Sequence, residues 1–105
     1  MTDILHKLEA TIRQRRDADP KDSYVASLRA KGRAKMAEKL GEEAVEAVIA
    51  AVQDDKVGMT GEAADVVFHL MILLADMGLS VDDVLAELAR REGLSGIAEK
   101  ASREY

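Results

Sequence analysis

Cysteine is absent from this chain, so a disulfide framework, a thiolate metal site and a cysteine nucleophile are all excluded. Tryptophan is absent too, and aromatics make up only 3%: Tyr24, Phe68 and Tyr105. That is too few for the stacking platforms that hold single-stranded nucleic acid. Proline occurs once, at Pro20, and β-branched or aromatic runs are nearly missing, which argues against a sheet protein. No apolar run reaches the ~20 residues that span a bilayer. The longest, from Val66 to Ala75, is interrupted by His69. The segment 1–16 carries scattered charge instead of the unbroken apolar stretch of an export signal. The expectation is a cytoplasmic protein with neither a nucleic-acid nor a membrane partner.

What is present is helix-forming: Ala, Leu, Glu, Arg and Lys dominate. The 105 residues fit one domain, 1–105, and 48% of them are hydrophobic, ordinary for a folded chain. The net charge of −5 is unevenly spread, with +4 over residues 1–39 and −9 over residues 40–105. A basic first part and an acidic second part suit two solvated surfaces. They also suit a basic arm facing an acidic pocket, as an anionic substrate bridged by a cation requires.

The periodicity predicts about five helices in an all-α bundle. Thr2 or Asp3 caps the first, with Ile4, Leu5, Leu8 and Ile12 at helical spacing, and the stretch 17–22 around Pro20 ends it. Ser23 caps a short helix through Leu28 that Gly32 closes. A long helix follows from Arg33 to Gln53, then a loop from Asp54 to Thr60, then a helix opening at Thr60 or Gly61 and ending near Met77 before Gly78. Ser80 caps the next helix, with Asp82 and Asp83 in its first turn; Val81, Val84, Leu85 and Leu88 line it, and Gly93 ends it. The tail beyond Gly93 reads as a short helix or an ordered extension. At about 100° per residue, the helix from Glu62 to Met77 is apolar nearly all round. A chain this short has little depth in which to bury such a helix. We therefore expect a four-helix-bundle-like core completed by a second copy in a twofold dimer.

The carboxylates carry the chemistry. Glu62, Asp65 and His69 form one polar stripe on that apolar helix. On the long helix Glu43 and Glu46 form a matching stripe with Lys39 and Lys35, and Glu42 stands to one side. Its apolar side lies roughly opposite, at Val45, Val48 and Val52. Two helices thus each present acids at i and i+3, and a short connection folds them back antiparallel so that the pairs meet. Converging carboxylates repel unless a cation neutralises them, and an all-oxygen donor set selects Mg²⁺, with Mn²⁺ as a substitute, over Zn²⁺. Lys35 and Lys39, with Arg29, Lys31 and Arg33 upstream, suit phosphate groups. The assembled site is one for Mg²⁺-assisted phosphate transfer to water. Each feature also has a plainer reading. Acid pairs at i, i+3 commonly face solvent, Glu42 and Glu43 beside Lys39 are ordinary helix ion pairing, and His69 reads as a satisfied semi-buried histidine rather than a ligand.

The run Lys39-Leu40-Gly41-Glu42-Glu43-Ala44-Val45-Glu46, followed by Glu62-Ala63-Ala64-Asp65, resembles the ExxE…ExxD motif of the all-α nucleoside triphosphate pyrophosphohydrolase superfamily. Three stretches narrow the resemblance to the phosphoribosyl-ATP pyrophosphatase family: Ser23-Tyr24-Val25 leading to Lys31-Gly32, Gly41 to Ala51, and the tail from Gly93 to Arg103. The likeness covers about residues 3–103. The resemblance implies Mg²⁺-dependent hydrolysis of phosphoribosyl-ATP between its α- and β-phosphates, giving phosphoribosyl-AMP and pyrophosphate in histidine biosynthesis. It also implies a homodimer, in the form not fused to the cyclohydrolase that acts next. Joined to the residues, it assigns Glu43, Glu46, Glu62 and Asp65 to the metal. Glu42 and Glu43 are the catalytic carboxylates, Glu42 as an added ligand or water-orienting base. Lys39, Lys35, Arg29, Lys31 and Gly32 go to substrate phosphate, and the tail residues Lys100, Ser102 and Arg103 to the partner's pocket. Two rivals share parts of this pattern: a housekeeping pyrophosphatase for simple nucleoside triphosphates, and a non-catalytic helical interaction module.

Overall fold

The structure, a computed structural model, describes residues 3–93 together with Gly96 and Lys100. The described residues form five α-helices and no strand: α1 (Asp3–Arg15), α2 (Tyr24–Lys31), α3 (Arg33–Val52), α4 (Lys56–Asp76) and α5 (Val81–Arg91). The expected tail helix and the tail residues Ser102 and Arg103 lie outside the described residues.

Local signals set most boundaries. Ser23 caps α2 by accepting from the Ala26 N–H at 3.1 Å. Gly32, at φ 99°, closes α2 with its N–H on the Leu28 and Arg29 carbonyls, and its own carbonyl starts α3. Ser80 and Asp83 form a reciprocal capping box on α5. At the end of α4, the N–H of Gly78 bonds Ala75 O and that of Leu79 bonds Leu74 O, the paired bonds of a Schellman close.

The connection between α3 and α4 departs from expectation. The loop over Asp54–Thr60 is replaced by a turn of three residues, 53–55, and α4 begins at Lys56. The N–H of Asp54 bonds Ala51 O and that of Asp55 bonds Ala50 O, the same paired pattern, here with Asp54 in the left-handed region at φ 54° instead of a glycine. Asp55 at once caps α4 through the Gly58 N–H at 2.9 Å. A Cβ on Gly58 would crowd that carboxylate as it stands, and the glycine that reads as a loop residue lies in the first turn of α4, donating to its cap.

α3 and α4 run back antiparallel, as Arg33 near the start of α3 shows by binding Asp76 at the end of α4 at 2.6 Å. Ile12, Val25, Leu28, Met36, Met71, Ile72, Ala75 and Val81 make the core, with Leu5, Leu8 and Phe68 against it. Ile4 stands outside, 69% exposed, on the outer edge of the α1 stripe in its first turn. Glu9 of α1 holds α5 by accepting from the Val81 N–H at 2.6 Å.

The inward face of α3 is not the valine side. Met36, Ala47 and Ala50 are buried on the same face as Glu43, so small residues flanking the acid bring α3 close to α4. Val45, Val48 and Val52 point away and are 58%, 60% and 81% exposed. α4 likewise buries His69, Met71, Ile72 and Ala75 but leaves Val67 and Leu70 partly bare.

Candidate metal centre

Antiparallel pairing brings Glu43 of α3 to the level of Glu62 and Asp65, one turn apart on α4. One carboxylate oxygen from each of these three residues lies within 4.8 Å of the others. Opposite ligands of an octahedral Mg²⁺ stand about 4.2 Å apart, given bonds of ~2.1 Å. Small side-chain rotations therefore close the set around one ion. Glu43 and Glu62 are half-buried and Asp65 is exposed, which leaves one side open to a ligand.

The electrostatics are those of crowded acids. The Glu62 carboxyl is pushed up to about 7, first by the Glu46 carboxyl in hydrogen-bonding range, then by burial, then by the charges of Glu46, Glu43 and Asp65. Burial, followed by Glu46 and Asp65, also raises Glu43. Two carboxylates side by side are two acceptors, and only a shared proton or a cation makes their approach favourable. Glu62 Oε2 is buried and has no hydrogen-bond donor. A buried, unpartnered carboxylate oxygen is costly, and a hard cation is the partner its chemistry lacks. The residues present therefore fit a divalent ion with oxygen ligands.

Glu46 stands exposed beside this set, close enough to act on Glu62 and Glu43 but outside the three converging oxygens. Glu42 is turned aside and pairs with Lys39 at 3.0 Å. That pairing holds Lys39 protonated above its ordinary range, and Lys39 also feels Glu43. Of the other basic candidates, Lys35 pairs with Glu38 at 3.4 Å. Arg29 is drawn to the α1–α2 connection by Asp17 at 2.6 Å and the Arg16 carbonyl. Lys31 is exposed at the end of α2, and Gly32 has its N–H committed to closing that helix. Lys100 is described only as an exposed position. His69 is buried with both ring nitrogens bonded, to Tyr24 Oη and to the Asp65 carbonyl, each at 2.8 Å. Tyr24, part of a stretch that carries the family resemblance, meets His69 because the folded chain brings it beside a residue 45 positions away.

The raised carboxyls give a pH dependence with a definite sign. Glu62 moves from 4.5 to about 7 on folding, so the metal-free folded chain holds more protons than the unfolded one across that window. Its contribution to stability is present below pH 4.5 and lost as pH rises through 7. Glu87, pulled down to about 2 by Arg90 and Arg91, acts only below 4.5 and leaves the window untouched. A cation competes with the proton, so its affinity grows from pH 6 to pH 8. In thermal melts with chelator, the expected result is a lower Tm at pH 8 than at pH 6, with Mg²⁺ raising Tm more at pH 8. A Mg²⁺ effect that shrinks with pH contradicts the assignment.

Fold and site together define an all-α bundle with a cluster of carboxylates between two antiparallel helices whose oxygens could hold a cation. The family model of phosphoribosyl-ATP pyrophosphohydrolase matches residues 5–92, and the chain belongs to this family. Its relatives span the same length. A protein of Rhizorhabdus wittichii named phosphoribosyl-ATP pyrophosphatase is 65% identical, covering 98% of this chain and 97% of its own. Proteins of the same name from Novosphingobium aromaticivorans and Erythrobacter litoralis are 61% and 62% identical, covering 96% and 94% of this chain and 94% and 95% of their own.

Proposed function

We infer that this chain hydrolyses phosphoribosyl-ATP between the α- and β-phosphates, releasing phosphoribosyl-AMP and pyrophosphate, a step of histidine biosynthesis. Family membership and the names of its relatives support the reaction. The observation that carries the site is the convergence of Glu43, Glu62 and Asp65, together with a buried Glu62 oxygen that lacks a donor.

In this reading Glu43, Glu62 and Asp65 hold the cation, with Glu46 completing the donor set. A bound Mg²⁺, or Mn²⁺ in its place, supplies Lewis-acid neutralisation of phosphate charge. Glu43, on the buried face of α3, orients the attacking water. Water adds to one phosphorus of the α–β bridge, the P–O bond to the bridging oxygen breaks, and pyrophosphate departs. Lys39 offsets phosphate charge from beside Glu43, while Glu42 keeps its ammonium protonated and in place. Lys35 and Lys31 extend the positive approach along α3 and the end of α2.

We assign the activity to a cytoplasmic homodimer acting on a small molecule, with no nucleic-acid or membrane partner. α4 is long and apolar enough to cross a bilayer by length and composition. Its bare Val67 and Leu70, with the valine side of α3, are better matched by a second copy, because the acids on both helices must stay near water.

The test is pyrophosphate release from phosphoribosyl-ATP against a panel of simple nucleoside triphosphates, with and without Mg²⁺. The expected result is Mg²⁺-dependent turnover strongly favouring phosphoribosyl-ATP. Equal turnover of deoxynucleoside triphosphates would reassign the substrate, and absence of turnover would leave a helical interaction module.

A further inference from the structure

Tyr24 and His69 stand outside the acid cluster, yet His69 is bonded to its backbone and Tyr24 to His69. His69 lies one turn beyond Asp65 on α4, buried. A carbonyl oxygen can only accept, so the 2.8 Å contact between His69 Nδ1 and Asp65 O places a proton on Nδ1. In the neutral ring Nε2 is then the acceptor, and the Tyr24 hydroxyl donates to it at 2.8 Å. The bonds run in one direction, from Tyr24 through His69 to the peptide that carries Asp65.

Tyr24 is itself well anchored. It is the first residue of α2, directly after the Ser23 cap, and its ring stacks on Phe68 with centroids 6.3 Å apart. His69 stands edge-on to both rings, at 5.7 and 5.4 Å. The half-exposed Tyr24 ring therefore ties α2 to α4 at the turn that follows Asp65. Inside a helix, a carbonyl normally serves the N–H four residues on. The His69 ring, also four residues on, takes that carbonyl's second lone pair and fixes the tilt of the Asp65 peptide. Asp65 is exposed and has no side-chain hydrogen bond among those described, so the His69 bond to its carbonyl is the one described side-chain contact on this residue.

We propose that Tyr24 and His69 are positioning residues of the metal centre, their bond chain holding the α4 turn in register with Glu43 of α3. The inference rests on Glu43, Glu62 and Asp65 being the ligands, and its test separates the two. Mn²⁺ is titrated calorimetrically into the full chain without substrate. Groups that orient metal ligands typically contribute 10–100-fold in affinity, so Tyr24→Phe, which removes only the hydroxyl, is expected to weaken Mn²⁺ about tenfold. KM for substrate at saturating metal stays within about twofold, since in this role Tyr24 acts through His69.

His69→Ala loses both bonds and weakens Mn²⁺ further. His69→Asn, whose amide N–H₂ reaches toward the Asp65 carbonyl, recovers part of the loss. Adding Tyr24→Phe to His69→Ala costs nothing more, as residues in one chain of bonds are non-additive. Nitrogen-15 NMR of the wild type is expected to show His69 protonated at Nδ1, with Nε2 shifting in Tyr24→Phe. Wild-type Mn²⁺ affinity in a folded Tyr24→Phe, or a His69 protonated at Nε2 instead, overturns the proposal while the ligand assignment stands. Failure of the wild type to bind Mn²⁺ at all overturns the ligand assignment and the proposal with it.

Discussion

Replacing Glu62 by Gln is expected to abolish most turnover while the bundle stays folded. Glu62 contributes an oxygen to the converging set, and its buried Oε2 has no donor, so in the proposed site its charge serves the cation. Gln is nearly isosteric and neutral, and offers one carbonyl oxygen where two carboxylate oxygens stood. Removing a group that merely orients a metal ligand costs 10–100-fold, so loss of a ligand is expected to cost about a hundredfold or more in kcat/KM. Stability moves the other way. Without metal at pH 8, the neutral side chain takes Glu62's own charge away from the Glu46, Glu43 and Asp65 carboxylates that push it up to about 7, so Tm of the metal-free variant holds or rises. Asp65→Asn behaves alike. Glu42→Gln is the internal contrast: it breaks an exposed pair with Lys39 and is expected to lower activity far less. Pyrophosphate release and thermal melts on the three variants decide the matter. Full activity in both Glu62→Gln and Asp65→Asn would falsify the ligand set, and a collapse of Tm in either would assign that residue to the fold instead.

This separation of activity from stability follows from how the site is built, and much of the building was legible in the sequence. Acids at i and i+3 on two successive helices can converge only if the helices are antiparallel, and a short connection makes them so. Ser23, Ser80 and Gly78 marked their helix ends because each terminus needs a partner for orphan N–H or C=O groups. The same logic misled at 54–60. The left-handed position that usually takes glycine is filled by Asp54, and Gly58 lies inside the first turn of α4. Other features required the third dimension. Glu43 and Glu46 look equivalent on α3, yet the face that carries Met36, Ala47 and Ala50 turns Glu43 inward and leaves Glu46 at the rim. The bond from Tyr24 to His69 joins α2 to α4, and periodicity within one helix carries no trace of it. The choice between the alanine and valine sides of α3 was also hidden, because either can pack. Small residues won against α4 because close approach of the backbones is what lets short acid side chains meet.

That choice leaves the valine side for another surface, and it sets the second large expectation: Val48→Asp dissociates the homodimer. Val45, Val48 and Val52 form one outward stripe on α3, and each is more than half exposed in a single protomer. Ile49, 50% exposed, widens it. Burying a valine contributes roughly 1.5 kcal/mol or more, so a stripe of this kind has several kcal/mol to gain from a partner. Carboxylate burial reverses the sign, at an effective cost of several kcal/mol per ion. In a twofold interface every substitution enters twice, which doubles the penalty. The wild type is expected to sediment as a dimer at micromolar concentration and Val48→Asp as a monomer, with helical circular dichroism retained because Val48 lies outside the protomer's core. Val48→Ala, which shrinks the contact without adding charge, is expected to weaken the dimer and leave it detectable. A monomeric wild type, or a Val48→Asp variant that still sediments as a dimer, would show that some other surface covers α3. Measured beside the Glu62 variants, the monomer also reports whether the metal site needs the second copy. Glu43 is held from the opposite face of the same helix, so an α3 that loses its outer support is expected to bind Mn²⁺ more weakly even with every ligand intact.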